Sequence, residues 1–324
     1  MRNLLVFFIC LGSLGANPLD PVVRGQLNVH SHYSKMIDHY QNEEWQRLAW
    51  KCKDIIADFP TSPFSREALY YLGVAEFKLG EYEHANQAFS DYLKEDLTPK
   101  FFEQTIRFKF EIATAFDRGA RNRLFGWNRM PKWLPAYQDA VEIYDEVITT
   151  MPRDDLAAKS LYRKGILLLR MEEYKKSIEV FQTLTRRFPK HPLTPDAYVG
   201  IADVYLTECR KEFADPNKLE LAEINLRKFK GHFPGDPSIE AVRNRLLGMK
   251  EELADDLLEI AEFYERTKKG DAAAIYYATV LKKYPETDAA KKSEKKLKAF
   301  DAPAIDSKKK PSRENRSIVD PPAT

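Results

Sequence analysis

Leu69-Tyr70-Tyr71-Leu72-Gly73, then Leu79-Gly80-Glu81-Tyr82, then Ala85, Phe89 and Tyr92 form the stretch that decides the fold. Its apolar residues recur at three- and four-residue intervals, the spacing that puts them on one face of an α-helix. Leu79-Gly80-Glu81 interrupts the pattern, and the period resumes at Tyr82, which describes two helices joined by a tight turn. The small Ala85 lets the first helix approach the second closely, and Phe89, one helical turn later, fills the space beside it. A second stretch reads the same way through Leu161, Gly165, Tyr174, Ser177, Phe181, Leu184 and Pro189.

Both stretches match the tetratricopeptide (TPR) pattern, a helical hairpin of about 34 residues. Laid along the chain, the template of small residue, space-filling residue, apolar residue and terminal proline finds six units. They are Leu48/Cys52/Ile55/Pro60, Ala85/Phe89/Tyr92/Leu97, Ala140/Tyr144/Val147/Pro152, Ser177/Phe181/Leu184/Pro189, Ala222/Leu226/Phe229/Pro234 and Ala273/Tyr277/Val280/Pro285. Proline ends five of the six, since it donates no N–H and clashes with the preceding turn. In the first unit the opening helix reads Tyr33/Met36/Ile37/Tyr40, one residue out of register, as in a terminal repeat. The expected fold class is therefore all-α, a TPR-type α-solenoid of five to six helical hairpins.

Composition agrees. The 324 residues hold only 13 glycines, about 4% against a typical ~7%, and a helical array has few positions needing positive φ. Lys+Arg 51 against Asp+Glu 49 gives a formal charge of +2, with no excess of cations to neutralise nucleic-acid phosphates. With 44% apolar residues, the chain can bury a sizeable core.

The ends read differently. Met1-Arg2-Asn3, the apolar run Leu4 to Leu11 and the small-residue exit Gly12 to Ala16 have the form of a secretory signal peptide over residues 1–16. Cleavage after Gly15 or Ala16 is one expectation; lipidation at Cys10 is the other, although Ile9 is large for the position before a lipidated cysteine. Residues 17–28 read as a linker and 29–300 as the solenoid, with halves of about 29–152 and 153–300. Residues 301–324, with Lys308-Lys309-Lys310 and four prolines, read as a disordered tail. Cys52 and Cys209 read as two buried free thiols, in no metal-ligand spacing.

Between the second and third units lies the longest interval, with Phe116-Asp117-Arg118-Gly119 leading to Leu124-Phe125-Gly126-Trp127-Asn128-Arg129. Its interleaved aromatic and basic side chains, Phe125, Trp127 and Arg129 among them, suit either a loop packed on the solenoid or a partner-docking loop, since Trp and Arg are favoured interface anchors. A second candidate surface follows from hairpin geometry. Positions next to the packed ones on the opening helix face the groove: Glu67, Tyr70, Val74 and Phe77 in the second repeat, and Lys159, Tyr162, Ile166 and Leu169 in the fourth. Two readings stand side by side there: an extended or amphipathic peptide docks, or Tyr70 and Phe77 pack against the neighbouring repeat.

The array, the Leu124–Arg129 loop and the closing segment Ala261-Glu262-Phe263-Tyr264-Glu265-Arg266 through Tyr284-Pro285-Glu286-Thr287 resemble the BamD family, the TPR component of the outer-membrane β-barrel assembly machinery. The connectors Phe59-Pro60-Thr61-Ser62-Pro63-Phe64 and Phe188-Pro189-Lys190-His191-Pro192 are similar to that family's inter-repeat connectors. The resemblance covers roughly residues 30 to 298. It implies a non-catalytic scaffold at the periplasmic, inner face of the outer membrane, held there by a partner or a lipid anchor. It further implies two protein partners: a BamA-type barrel-forming core subunit, met through C-terminal positions such as Phe263, Tyr264 and Arg266, and nascent outer-membrane proteins, met through the N-terminal repeats. The chain differs from the family's pattern at Asn128 and Met130, where acidic residues usually flank the loop arginine, and at Tyr276 and Tyr277, where many members carry arginine.

No nucleotide-binding, serine-hydrolase, zinc-protease or paired-cysteine motif is present in the sequence, so no cofactor and no catalysis are expected. Two other readings remain. One is a periplasmic TPR adaptor of the Tol–Pal type; the other is an exported metal enzyme built on His30, His32 and His39.

Overall fold

A computed structural model of the chain describes residues 21–95, 99–123, 132–212 and 214–301. Signal-peptide residues 1–16, loop residues Phe125, Trp127 and Arg129, and the tail beyond 301 lie outside them.

The described chain is helical apart from one short ribbon. Opening (A) and closing (B) helices alternate along the sequence. The chain divides into two compact units, Met1–Glu173 and Tyr174–Thr324.

The first unit holds α1 (Pro21–Gln41), α2 (Trp45–Asp58), α3 (Pro63–Lys78), α4 (Tyr82–Glu95), α5 (Phe102–Asp117), the strands β1 (Arg121–Arg123) and β2 (Lys132–Pro135), α6 (Tyr137–Thr150) and α7 (Asp155–Arg170). The template residues do what their sizes dictate. Leu48, Ala85 and Ala140 are wholly buried, and so are Cys52, Phe89 and Tyr144 one turn later. Gly73 on α3 faces Phe89 on α4: a Cβ at Gly73 would come within 2.5 Å of the Phe89 ring, so only glycine lets these helices meet. Ser62 caps α3 by accepting the Phe64 amide, with Pro63 at the first helical position.

Helix α1 begins at Pro21, ahead of the expected start at 29, and so takes up part of the stretch read as a linker. The long interval also falls elsewhere than expected. Helix α5 is the opening helix of the third repeat, and the insertion lies inside that repeat, between α5 and α6. Its ends form an antiparallel ribbon pairing Arg121 with Pro135 and Asn122 with Leu134. A template keyed on closing helices locates Ala140 correctly but cannot show where its partner helix lies.

The second unit holds α8 (Tyr174–Arg187), α9 (Thr194–Lys211), α10 (Pro216–His232), α11 (Ser238–Arg266), α12 (Gly270–Lys283) and α13 (Asp288–Asp301). Ser177, Phe181 and Leu184 on α8, Ala222 and Phe229 on α10, and Ala273, Tyr277 and Val280 on α12 are all fully buried. Leu226 is only half-buried. Asn225 turns inward instead and donates to the Tyr198 carbonyl at 2.9 Å, while Phe229 stacks on Tyr198 at 4.9 Å. Helix α13 closes this unit against α11 and α12. The Asp288 amide at its start donates to Glu251 of α11, and the buried Thr287 hydroxyl accepts the Ala290 amide.

Tight turns between A and B helices need a left-handed residue, because the C-terminal carbonyls of the first helix are satisfied only by that geometry. Gly80 supplies it between α3 and α4 with φ of 74°. Glu43, Glu172 and Lys268 take the same conformation in their turns, with φ of 55°, 62° and 61°.

Candidate functional site

The expected N-terminal groove is closed. Tyr70 and Val74 are buried, with exposures of 6% and 2%. Tyr70 stacks on Phe101 and also meets Phe89 and Tyr92. Phe77 is half-buried and edge-packed on Tyr82 and Phe108. Glu67 accepts the Tyr33 hydroxyl at 2.6 Å and pairs with Lys100. The cause is α5: its Phe108, and Phe101 just before it, cover the face that α3 would otherwise present. In the fourth repeat the matching positions stay accessible, with Lys159 and Ile166 exposed and Tyr162 and Leu169 half-buried.

The base of the inserted ribbon is anchored, whatever the loop between its strands meets. Asp117, at the end of α5, is bonded by Arg170 of α7 and lies near Arg163. The Arg170 guanidinium also sits over the Tyr137 ring at 5.7 Å.

The C-terminal candidates fall together on α11. Phe263 is 52% exposed and Arg266 is exposed; Tyr264 is half-buried and stacks on Tyr276 of α12, rings 5.5 Å apart and nearly parallel. Two further exposed apolar residues were missed by sequence reasoning: Ile260, beside Phe263 on α11, and Ile275 on α12, which at 66% is the most exposed large hydrophobic side chain among the described residues. Their signal was weak, because Ile275 sits in an apolar run, Ala272 to Tyr277, that reads as helix interior.

A cavity of about 640 Å³ opens on α11 between Asp256, Glu259, Ile260, Glu262, Phe263 and Arg266. Partial burial and repulsion from Glu259, Glu252 and Asp255 raise the Asp256 carboxyl above its usual range. The rim is therefore acidic around an apolar centre. Beneath it, Glu265 accepts the Tyr277 hydroxyl at 2.6 Å and a Lys296 ammonium at 3.0 Å, which ties α11, α12 and α13 together. The tyrosine bond, then the lysine, hold the Glu265 carboxyl below its ordinary value.

Nothing in this arrangement forms a nucleophile–base pair. Cys52 and Cys209 are buried free thiols, both pushed up by burial. The three histidines are engaged separately: His30 on the Phe64 ring, His32 on the Phe59 ring, and His39 to Glu44 at 2.6 Å. Among the described residues no group of three His, Cys, Asp or Glu side chains could hold a metal, and no helix is long and apolar enough to cross a membrane.

Stacked small-to-large helical hairpins and an exposed apolar surface define a tetratricopeptide-repeat protein with an all-α solenoid fold, and TPR profiles match residues 53–99 and 162–213. A second profile, of the YfiO family described as outer membrane lipoprotein, matches residues 206–313, a segment that includes the whole α11–α12 surface. The chain is 33% identical over 87 residues to the outer membrane protein assembly factor BamD of Vibrio cholerae serotype O1; the match takes in 26% of this chain and 36% of that protein. The chain thus spans about a third of the curated relative it matches. Among solved structures it is similar to a TPR protein of Parabacteroides merdae, at 13% identity and a TM-score of 0.37 over 84% of this chain and 98% of that one. It is also similar to a TPR protein of Thermus thermophilus, at 17% identity and a TM-score of 0.31 over 68% of this chain and 99% of that one.

Proposed function

We propose that the chain is a non-catalytic scaffold of outer-membrane protein assembly, working in the periplasm at the inner face of the outer membrane. Its α11–α12 surface docks a barrel-forming core subunit of the BamA type, and other repeats receive nascent outer-membrane proteins. The observation that carries this reading is a coincidence of position. The segment similar to outer membrane lipoproteins is the one bearing Phe263, Ile260 and Ile275, three large apolar side chains left exposed on α11 and α12. Exposed large side chains around an apolar centre with a charged rim are the anatomy of a protein interface. Tyr70 and Val74 support the scaffold as core, and Glu67 and Phe77 are partly covered beside them rather than free to line a peptide groove. If clients dock on an opening-helix face of the first unit, the face of α7 is accessible, at Tyr162 and Ile166.

The reading is tested by site-specific photo-crosslinking from position 275 in cells. A crosslinked product containing an integral β-barrel protein is the expected result. Crosslinking to a peptidoglycan-associated lipoprotein alone would replace the reading with the envelope-adaptor alternative.

A further inference from the structure

The second unit carries another open surface, on the side of α8 and α10 and separate from the α11–α12 face. Between these helices lies a cavity of about 590 Å³. Its floor is α9, through Tyr198, Ile201 and Tyr205, of which Tyr198 is held by the Phe229 stack and the Asn225 hydrogen bond to its carbonyl. Its α10 wall is a stripe of Leu221, Ile224 and Lys228, spaced three and four residues apart so that all point to one side. Leu221 is 48% exposed and Ile224 36%.

The charge of the lining is one-sided. Arg186 on α8 and Lys228 and His232 on α10 line it, and among the described residues no carboxylate does. The α11 cavity has the opposite balance, with three carboxylates, Asp256, Glu259 and Glu262, against the one cation Arg266 around apolar side chains. One unit thus presents two apolar surfaces of opposite sign, which select different partners, since like charges facing each other across an interface are penalised.

We propose that the α8–α10 groove is a second docking site, taking an acidic amphipathic peptide segment of a partner protein. Apolar side chains of the segment pack on Leu221, Ile224 and the tyrosine floor, and its carboxylates meet Arg186 and Lys228. Charge complementarity selects this occupant, because a basic segment would place its cations against two others with no carboxylate in the lining to offset them. A groove between two helices suits a segment whose apolar residues recur every three or four positions.

The probe is a fluorescent peptide of about ten residues carrying glutamates on one face and leucines on the other, with a control in which every glutamate is lysine. Fluorescence anisotropy on the full chain should show binding of the acidic peptide, weakened by salt, and none of the basic one. Arg186→Glu combined with Lys228→Glu, and separately Ile224→Asp, should each weaken it at least about tenfold. Both variants alter exposed positions, and circular dichroism of each checks that it folds. Phe263→Asp should leave the affinity unchanged, so that failure here and failure of the α11–α12 reading are told apart. Equal binding of both peptides, absence of binding, or unchanged affinity in the groove variants overturns the proposal. So does a dimer in sedimentation that Ile224→Asp converts to monomer, which would give the groove to a second copy of the chain.

Discussion

Tyr70 lies flat against Phe101, ring centroids 4.2 Å apart and planes 16° from parallel. This contact joins α3 to the residue that leads into α5, and it turns a groove-facing position into part of the core. Tyr70→Ala should therefore act on folding, with a loss of about 3–5 kcal/mol as for other large aromatic truncations. Denaturant titration checks this. Tyr70→Phe, which keeps the ring, should cost far less; similar costs for both would place the contribution in the hydroxyl and contradict the stacking argument.

Gly73 and Phe89 give a second test of close packing. A methyl at position 73 meets the ring at 2.5 Å, so Gly73→Ala should destabilise by about 1–3 kcal/mol. Adding Phe89→Leu should recover part of that loss, because the smaller side chain makes room for the methyl. Strict additivity of the two changes in thermal or urea unfolding would show that the helices do not meet as described.

Lys268 occupies the left-handed turn between α11 and α12 with φ of 61°. A side chain there costs roughly 1–2 kcal/mol of local strain, partly offset in glycine by its greater unfolded-state freedom. Lys268→Gly should raise the melting temperature by a few degrees, whereas Gly80→Ala in the equivalent turn should lower it. A melting temperature that falls in Lys268→Gly would show that the ammonium contributes more than the backbone strain.

Glu265 gives stability a defined pH dependence. Its folded-state pKa is depressed, so its contribution is present above the unfolded value of about 4.3 and is lost as pH falls through the lower folded value. The native chain should be more stable than Glu265→Gln at neutral pH, and the gap should close on acidification through the carboxylate range. Melting curves of both proteins across that range check it; a gap that widens in acid has the wrong sign for this linkage.

The sequence made the closing helices legible because their rule is local. A small residue, a filler one turn later and a proline at the end are fixed by contacts within one hairpin, and Leu48, Ala85, Ala140, Ser177, Ala222 and Ala273 are all fully buried. What the sequence obscured depends on neighbours distant along the chain. Tyr70 and Val74 are outward positions of a lone hairpin, and Tyr70 is enclosed only when Phe101 and, from α5, Phe108 close over it beside Phe89 and Tyr92. The insertion could not be assigned to one side of an opening helix by a template that reads closing helices. Ile275 lies among alanines and tyrosines that look like core, and its exposure follows from which face of α12 meets α11. Tyr276 and Tyr277, one residue apart, divide accordingly: one stacks on Tyr264 and the other bonds Glu265.

The central claim is that the α11–α12 surface docks a barrel-forming outer-membrane subunit. The direct test is quantitative co-purification from detergent-solubilised outer membranes, comparing the native chain with Phe263→Asp/Ile275→Asp. Both positions are more than half exposed, so stability should change by no more than about 0.5 kcal/mol per site. We predict that an integral β-barrel protein co-purifies with the native chain and that the double variant retains roughly a thirtieth of the affinity or less, as when interface anchors are lost. Undiminished recovery of that protein by the variant, or its absence from the native sample, would contradict the account.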